Sequence, residues 1–102
     1  MNDRNDSIAP FSGEIDFTSK QEFQEKLTAL DHAETAIVDL TDVTYMDSTA
    51  LSQLIWLYRR RVDAAKSAPR IVVGPKVARI FRVSGLGEML PLFETLAEAQ
   101  AG

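Results

Sequence analysis

The sequence predicts an α/β fold, a largely parallel sheet with helices between its strands. Three observations carry this. Two short β-branched runs, "TAIVDL" (35–40) and "RIVVG" (70–74), are bounded by polar or turn residues and read as buried strands. A long helical pattern between them starts at Asp47 or Ser48 and runs to about Lys66. A further segment, "PKVARIFRVSG", has Pro at a helix start and Gly at its end. Strands separated by helices of this length need crossover connections, and crossovers make neighbouring strands parallel.

In chain order, "MNDRND" reads as a loose terminus, with residues 1–7 flexible and a single domain over 8–102. "SIAPFSGEIDF" carries a weak strand signal. Pro10 and Gly13 interrupt it, so it is expected at a sheet edge or with a bulge. "TSKQEFQEKLTAL" reads as a helix capped by Thr18 or Ser19, with Glu22 at capping-box spacing and a stripe of Phe23, Leu27 and Leu30. "DHAE" is a polar loop holding His32. After "TAIVDL", the segment "TDVTYM" leads to the long helix. There Leu51, Leu54, Ile55, Tyr58, Val62 and Ala65 fall on one arc about 100° wide, expected to face the core. Pro69 is expected to break this helix. In "PKVARIFRVSG", Val77, Ile80, Phe81 and Val83 are inward candidates. "LGEMLPLFETLAEAQAG" gives a short extended Leu-Pro-Leu-Phe piece, then a helix from about Thr95, which can be its N-cap. Phe81, Leu86, Met89 and Leu92 read as core rather than as a ligand pocket.

Composition narrows the function. A chain of 102 residues suits one domain able to bury a core without staples. With no cysteine there is no disulfide framework or thiolate chemistry, which fits a reducing, cytoplasmic setting. No apolar run approaches the ~20 residues of a membrane span, and the polar start has no secretory h-region. The net charge of −4 argues against bulk nucleic-acid binding, though the halves differ, −8 over 1–50 and +4 over 51–102.

Enzyme chemistry finds little support. Ser48 lacks a nucleophile-elbow context, His32 is the sole histidine, and the phosphate-cradling glycine motifs are absent. No metal or other cofactor is expected. Asp39, Asp42 and Asp47 flank the end of a strand, where open α/β sheets gather reactive groups. Asp also starts turns and caps helices, and that reading is preferred for Asp42 and Asp47.

Ser48 supports two roles. Its hydroxyl could cap the helix. A phosphate on it would meet unbonded backbone N–H groups and the positive end of the helix dipole, and would add about −1.5 to −2 charges beside Asp47.

The pieces "SGEIDFTSKQEFQEKL", "AIVDLTDVTYMDSTAL", "RIVVGPKVARIFRVSGLGEMLPLF" and "TLAEA", in this order and spacing, resemble STAS domains, and among them the anti-sigma factor antagonists of bacteria. The likeness covers about residues 12 to 99. It implies a STAS fold, a mixed central sheet of four to five strands flanked by about four helices, with no catalytic activity. It implies that Ser48 is phosphorylated by an anti-sigma factor that is a serine protein kinase, that the unphosphorylated domain binds this kinase and frees the sigma factor, and that a serine phosphatase resets the switch. Asp16 and Asp47 match acidic positions beside the partner-binding face. The chain departs from the family pattern twice. Its first residues are too few for the family's initial hairpin, and Ala50 stands where Gly is more frequent.

The resulting site is Ser48 for phosphorylation, with Thr49 as a second acceptor, and Asp16, Asp47, Ser48, Thr49, Ser52 and Trp56 for partner binding. Trp56 has Arg60 four residues on, within cation–π reach, and suits either an interaction surface or the edge of the core. Arg59, Arg60 and Arg61 spread around the helix and read as solvated. A monomer or weak dimer is expected. The rival reading is a STAS regulatory subunit of a lipid-transport ABC complex that binds its ATPase.

Overall fold

The computed structural model describes residues 6–102. Its strands and helices alternate: β1 (Asp6–Ile15), α1 (Lys20–Thr28), β2 (Thr35–Met46), α2 (Ser48–Asp63), β3 (Arg70–Val73), α3 (Pro75–Ser84), β4 (Leu92–Phe93) and α4 (Leu96–Ala101). Single 3-10 turns occupy Phe17–Ser19 and Leu86–Glu88. The strands form one sheet in the order β1-β2-β3-β4, every neighbour parallel. The crossover argument is thus realised, while the antiparallel member that a mixed sheet would need is not among the described strands.

The layering follows from handedness. Crossovers of one hand, stepping in one direction across a sheet, lay all their helices on one face. Accordingly Phe23 and Leu27 of α1, Ala50, Leu54 and Leu57 of α2, and Val77 and Phe81 of α3 join Val38, Leu40, Ile71 and Val73 in the main core. The alternate residues Ile37 and Val72 point the other way and are covered by Leu96 and Ala99 of α4.

β1 is an edge strand, as the interrupted pattern predicts. Its register slips between Pro10 and Ser12 and again between Gly13 and Glu14, and Gly13 has φ 74. The strand takes in Asp6 and Ser7; the rest of the expected loose segment, residues 1–5, lies outside the described residues. β2 runs on through "TDVTYM". β3 pairs only with Ile37–Leu40, whereas β1 follows β2 to Met46. The last turn of the β1–β2 ribbon therefore projects beyond the rest of the sheet.

Several expectations are corrected. The cap near α1 is Asp16, whose side chain accepts from Thr18 N–H while Ser19 Oγ accepts from Asp16 N–H, closing a capping box around the 3-10 turn. Neither Thr18 nor Ser19 caps α1 with its side chain. In α2 the buried residues are Ala50, Gln53, Leu54, Leu57 and Arg61. Val62 is 45% exposed. The inward face is turned by about 90° from the apolar arc, at 100° per residue, because two polar residues occupy it.

Arg61 is the larger surprise. It is buried, and its guanidinium donates to the carbonyls of Leu30, Ala33, Glu34 and Ser67 at 2.7–3.0 Å. Five fixed donors let one side chain satisfy four carbonyls from two loops. The solvated reading holds for the exposed Arg59 and Arg60 and fails for Arg61.

Pro69 does not end α2. The helix stops at Asp63, Ala65 takes φ 61, and the N–H groups of Ala65 and Lys66 bond Val62 and Arg61 carbonyls at 3.0 and 2.8 Å. This is a Schellman ending with Ala where Gly is usual. In α3, Val77 and Phe81 are buried and Ile80 is half-buried, but Val83 is 78% exposed. Met89 is also exposed rather than core, and Leu92 is half-buried.

Candidate functional site

The projecting end of the β1–β2 ribbon meets the start of α2. Asp47, not Ser48, caps α2: its Oδ1 accepts the Ala50 N–H at 2.9 Å. Its Oδ2 accepts the Phe17 N–H at 3.0 Å, and its own N–H donates to the Ile15 carbonyl at 3.2 Å. One aspartate thus fastens the helix start to the end of β1.

With the cap filled by Asp47, Ser48 becomes the first helical residue. It is exposed, and its hydroxyl makes no hydrogen bond within the described residues. The first N–H groups of a helix lack intrahelical partners. A free hydroxyl therefore sits at the positive end of a sixteen-residue helix. Thr49 follows, half-buried. Ser52 donates its hydroxyl to the Ser48 carbonyl at 2.9 Å.

Asp16 is half-buried beside this junction. Its Oδ1 accepts from the Thr18 hydroxyl at 2.5 Å and the Thr18 N–H at 2.9 Å. These bonds favour the carboxylate, the hydroxyl bond most, and hold the Asp16 pKa below its ordinary value against a smaller opposing effect of desolvation.

The STAS domain profile matches residues 2–99. The chain belongs to the STAS domain family. An anti-sigma-B factor antagonist of Staphylococcus aureus is 29% identical over 84 residues, 80% of this chain and 78% of the relative. The solved anti-sigma factor antagonist of Mycobacterium paratuberculosis superposes with a TM-score of 0.82 at 24% identity, over 99% of this chain and 87% of that one. The Bacillus cell fate determinant SpoIIAA, in its phosphorylated form, superposes with a TM-score of 0.66 at 21% identity, over 99% of this chain and 93% of that one. These two likenesses are of fold.

In this STAS domain Ser48, Ser52 and Trp56 follow one another at four-residue spacing and form a stripe down α2. Trp56 is half-buried and packs against the core edge. The Arg60 guanidinium stands 4.8 Å from its ring centroid and also pairs with Asp31, whose hydrogen bond and charge raise the arginine's pKa. Trp56 lies about 12 Å along the axis from Ser48. The structure thus joins Asp16, Asp47, Ser48 and Thr49 at one end and sets Ser52 and Trp56 along the adjoining helix face.

His32 lies exposed in the turn after α1, near the other end of α2. The Asp39 carboxylate accepts from the Thr41 N–H and hydroxyl at 3.0 and 2.5 Å, a local bond within β2. No group of three or more metal-ligating side chains comes together among the described residues, and no helix among them is long and apolar enough to cross a membrane. Sequence reasoning passed over Phe17 and Tyr45, which are 72% and 49% exposed at this end of the ribbon. An aromatic beside each of the two site aspartates, in "DFT" and "TYMD", was the available signal.

Proposed function

We propose that this domain is an anti-sigma factor antagonist of a bacterial partner-switching pathway, acting in the cytoplasm by binding and not by catalysis. Its unphosphorylated form binds an anti-sigma factor that is also a serine kinase, and the sigma factor is released. Phosphorylation of Ser48 ends that binding, and a serine phosphatase restores it. The observation that carries this reading is the exposed, unbonded Ser48 hydroxyl at a helix start whose capping duty Asp47 already performs. The site can gain a phosphate without losing its cap, so a modification there changes the surface while leaving the fold in place. The likeness to anti-sigma factor antagonists supports the same reading.

The phosphate would face unbonded N–H groups and the helix dipole, which favour it, so the modified state is sustained by the domain itself. Release then comes from the partner's side, since a docked surface would have to desolvate about −1.5 to −2 extra charges next to Asp47. The test is a binding titration against each purified anti-sigma factor kinase of the host. Ser48→Ala is expected to bind its kinase constitutively in the presence of ATP, and Ser48→Asp to bind poorly. Equal affinities of the two variants would overturn the proposal.

A further inference from the structure

We infer that Phe17 and Tyr45 are aromatic anchors of the surface around Ser48, and that the partner receives them in an apolar pocket rimmed by basic side chains. The inference rests on the switch reading of Ser48 and adds to it the chemistry of the partner's face.

Both rings are placed at a cost. Burying a large apolar side chain is favourable, yet Phe17 is 72% and Tyr45 49% exposed, and neither belongs to the main core or to the cluster under α4. Their backbones are nonetheless fixed. Phe17 opens the 3-10 turn closed by the Asp16–Ser19 capping box, and its N–H is held by Asp47 Oδ2 at 3.0 Å. Tyr45 is a strand residue in register with Glu14, three positions before Ser48. An aromatic ring on a fixed backbone has only two side-chain torsions to lose on binding, so it contributes contact area at low entropic cost. Aromatic residues of this kind dominate interface energies.

Charge decides the rim. Glu14, Asp16, Asp42 and Asp47 lie on the two segments that carry the rings, and residues 14–19 and 39–49 contain no Lys or Arg. The complementary surface is therefore basic at its edge and apolar where the rings enter. This also accounts for release. Carboxylates at the rim remain hydrated in the complex, whereas a phosphate on Ser48, three positions after Tyr45 and next to the Asp47 that holds the Phe17 N–H, would be carried toward a pocket that cannot solvate it.

The experiment uses the full chain in a Ser48→Ala background, titrated into the host kinase that phosphorylates wild-type Ser48. Phe17→Ala and Tyr45→Ala are each expected to weaken binding by about thirtyfold, with urea unfolding midpoints unchanged because both rings are exposed. Tyr45→Phe keeps the ring and is expected to bind within about threefold of the parent; a loss as large as that of alanine would assign the contact to the hydroxyl and overturn the apolar pocket. Affinity should fall as NaCl rises from about 0.05 to about 0.5 M, and salt-independent binding would overturn the basic rim. Retention of parent affinity by both alanine variants, with Ser48 still phosphorylated in the wild type, would overturn the anchors and leave the switch standing. If no host kinase binds the chain or phosphorylates it, both readings fall together.

Discussion

Asp47 accepts the backbone N–H of Phe17, thirty residues earlier in the chain, at 3.0 Å. The same carboxylate caps α2 through Ala50. Two carboxylate oxygens thus serve two segments that the sequence keeps far apart, and the residue beside the candidate phosphoacceptor is also what holds the site together.

Removal of this bridge has a graded effect. Asp47→Ala loses the cap and the link to Phe17, and should cost about 1–2 kcal/mol of stability. Asp47→Asn keeps one carbonyl oxygen for Ala50 and should cost roughly half as much. Urea unfolding gives the stabilities. Amide exchange at Phe17 reports the link itself and should accelerate in both variants. Unchanged Phe17 exchange in Asp47→Asn would show that the link is not made in solution.

Asp16 makes the junction sensitive to acid. Its folded pKa lies below the ordinary value of 3.8, chiefly because of the Thr18 hydroxyl bond. A depressed carboxylate pKa stabilises the fold above the unfolded pKa, and that contribution is lost as pH falls through the folded value. Carboxyl NMR titration should place the Asp16 midpoint below 3.8, and Thr18→Val should move it upward. A midpoint at or above the ordinary value in the wild type would contradict the hydrogen-bond assignment.

Arg61 should tolerate no substitution well. Arg61→Leu removes the guanidinium from the carbonyls of Leu30, Ala33, Glu34 and Ser67, of which Leu30 keeps the Ala33 N–H and Glu34 the Ser67 hydroxyl, and about 3 kcal/mol of destabilisation is expected from the bonds lost. Arg61→Lys carries a point charge in place of a fork and cannot reach all four, so a loss of about 2 kcal/mol or more is expected. Burial lowers the arginine's pKa and Asp31 opposes this, so the side chain stays cationic and the effect should vary little with pH near neutrality. Thermal or urea unfolding measures both variants; wild-type stability in Arg61→Leu would refute the clasp.

The alternation of strands and helices was legible because Ile37, Val38, Ile71 and Val72 form apolar runs that only a sheet covered on both faces explains. The edge position of β1 was legible from Pro10 and Gly13. The start of α2 could be placed at Asp47 or Ser48, but which of them caps depended on the strand end that Asp47 also bonds, a contact of long sequence separation. The inward face of α2 was misjudged for a related reason. A pattern of apolar residues cannot register an arginine whose burial depends on carbonyls thirty residues away, so Val62 was turned inward and Arg61 outward. The α2 ending was assigned to Pro69 because an alanine in the left-handed region leaves no compositional mark. At the site, the acidic and hydroxyl residues were read from motif likeness. Phe17 and Tyr45 were missed because an aromatic beside a strand end is ordinarily assigned to the core.

The strand order β1-β2-β3-β4 has a consequence for how the protein is made. Each strand finds its partner in the strand synthesised just before it, so the sheet can be extended in sequence as the chain leaves the ribosome, with no gap left for a later strand to enter. The far face is different: Ile37 and Val72 wait for Leu96 and Ala99, and Arg70 for the Ala99 carbonyl at 2.7 Å. Closing that face waits until α4 has been made, and a nascent chain stalled before α4 would present two of its most apolar strands to the cell.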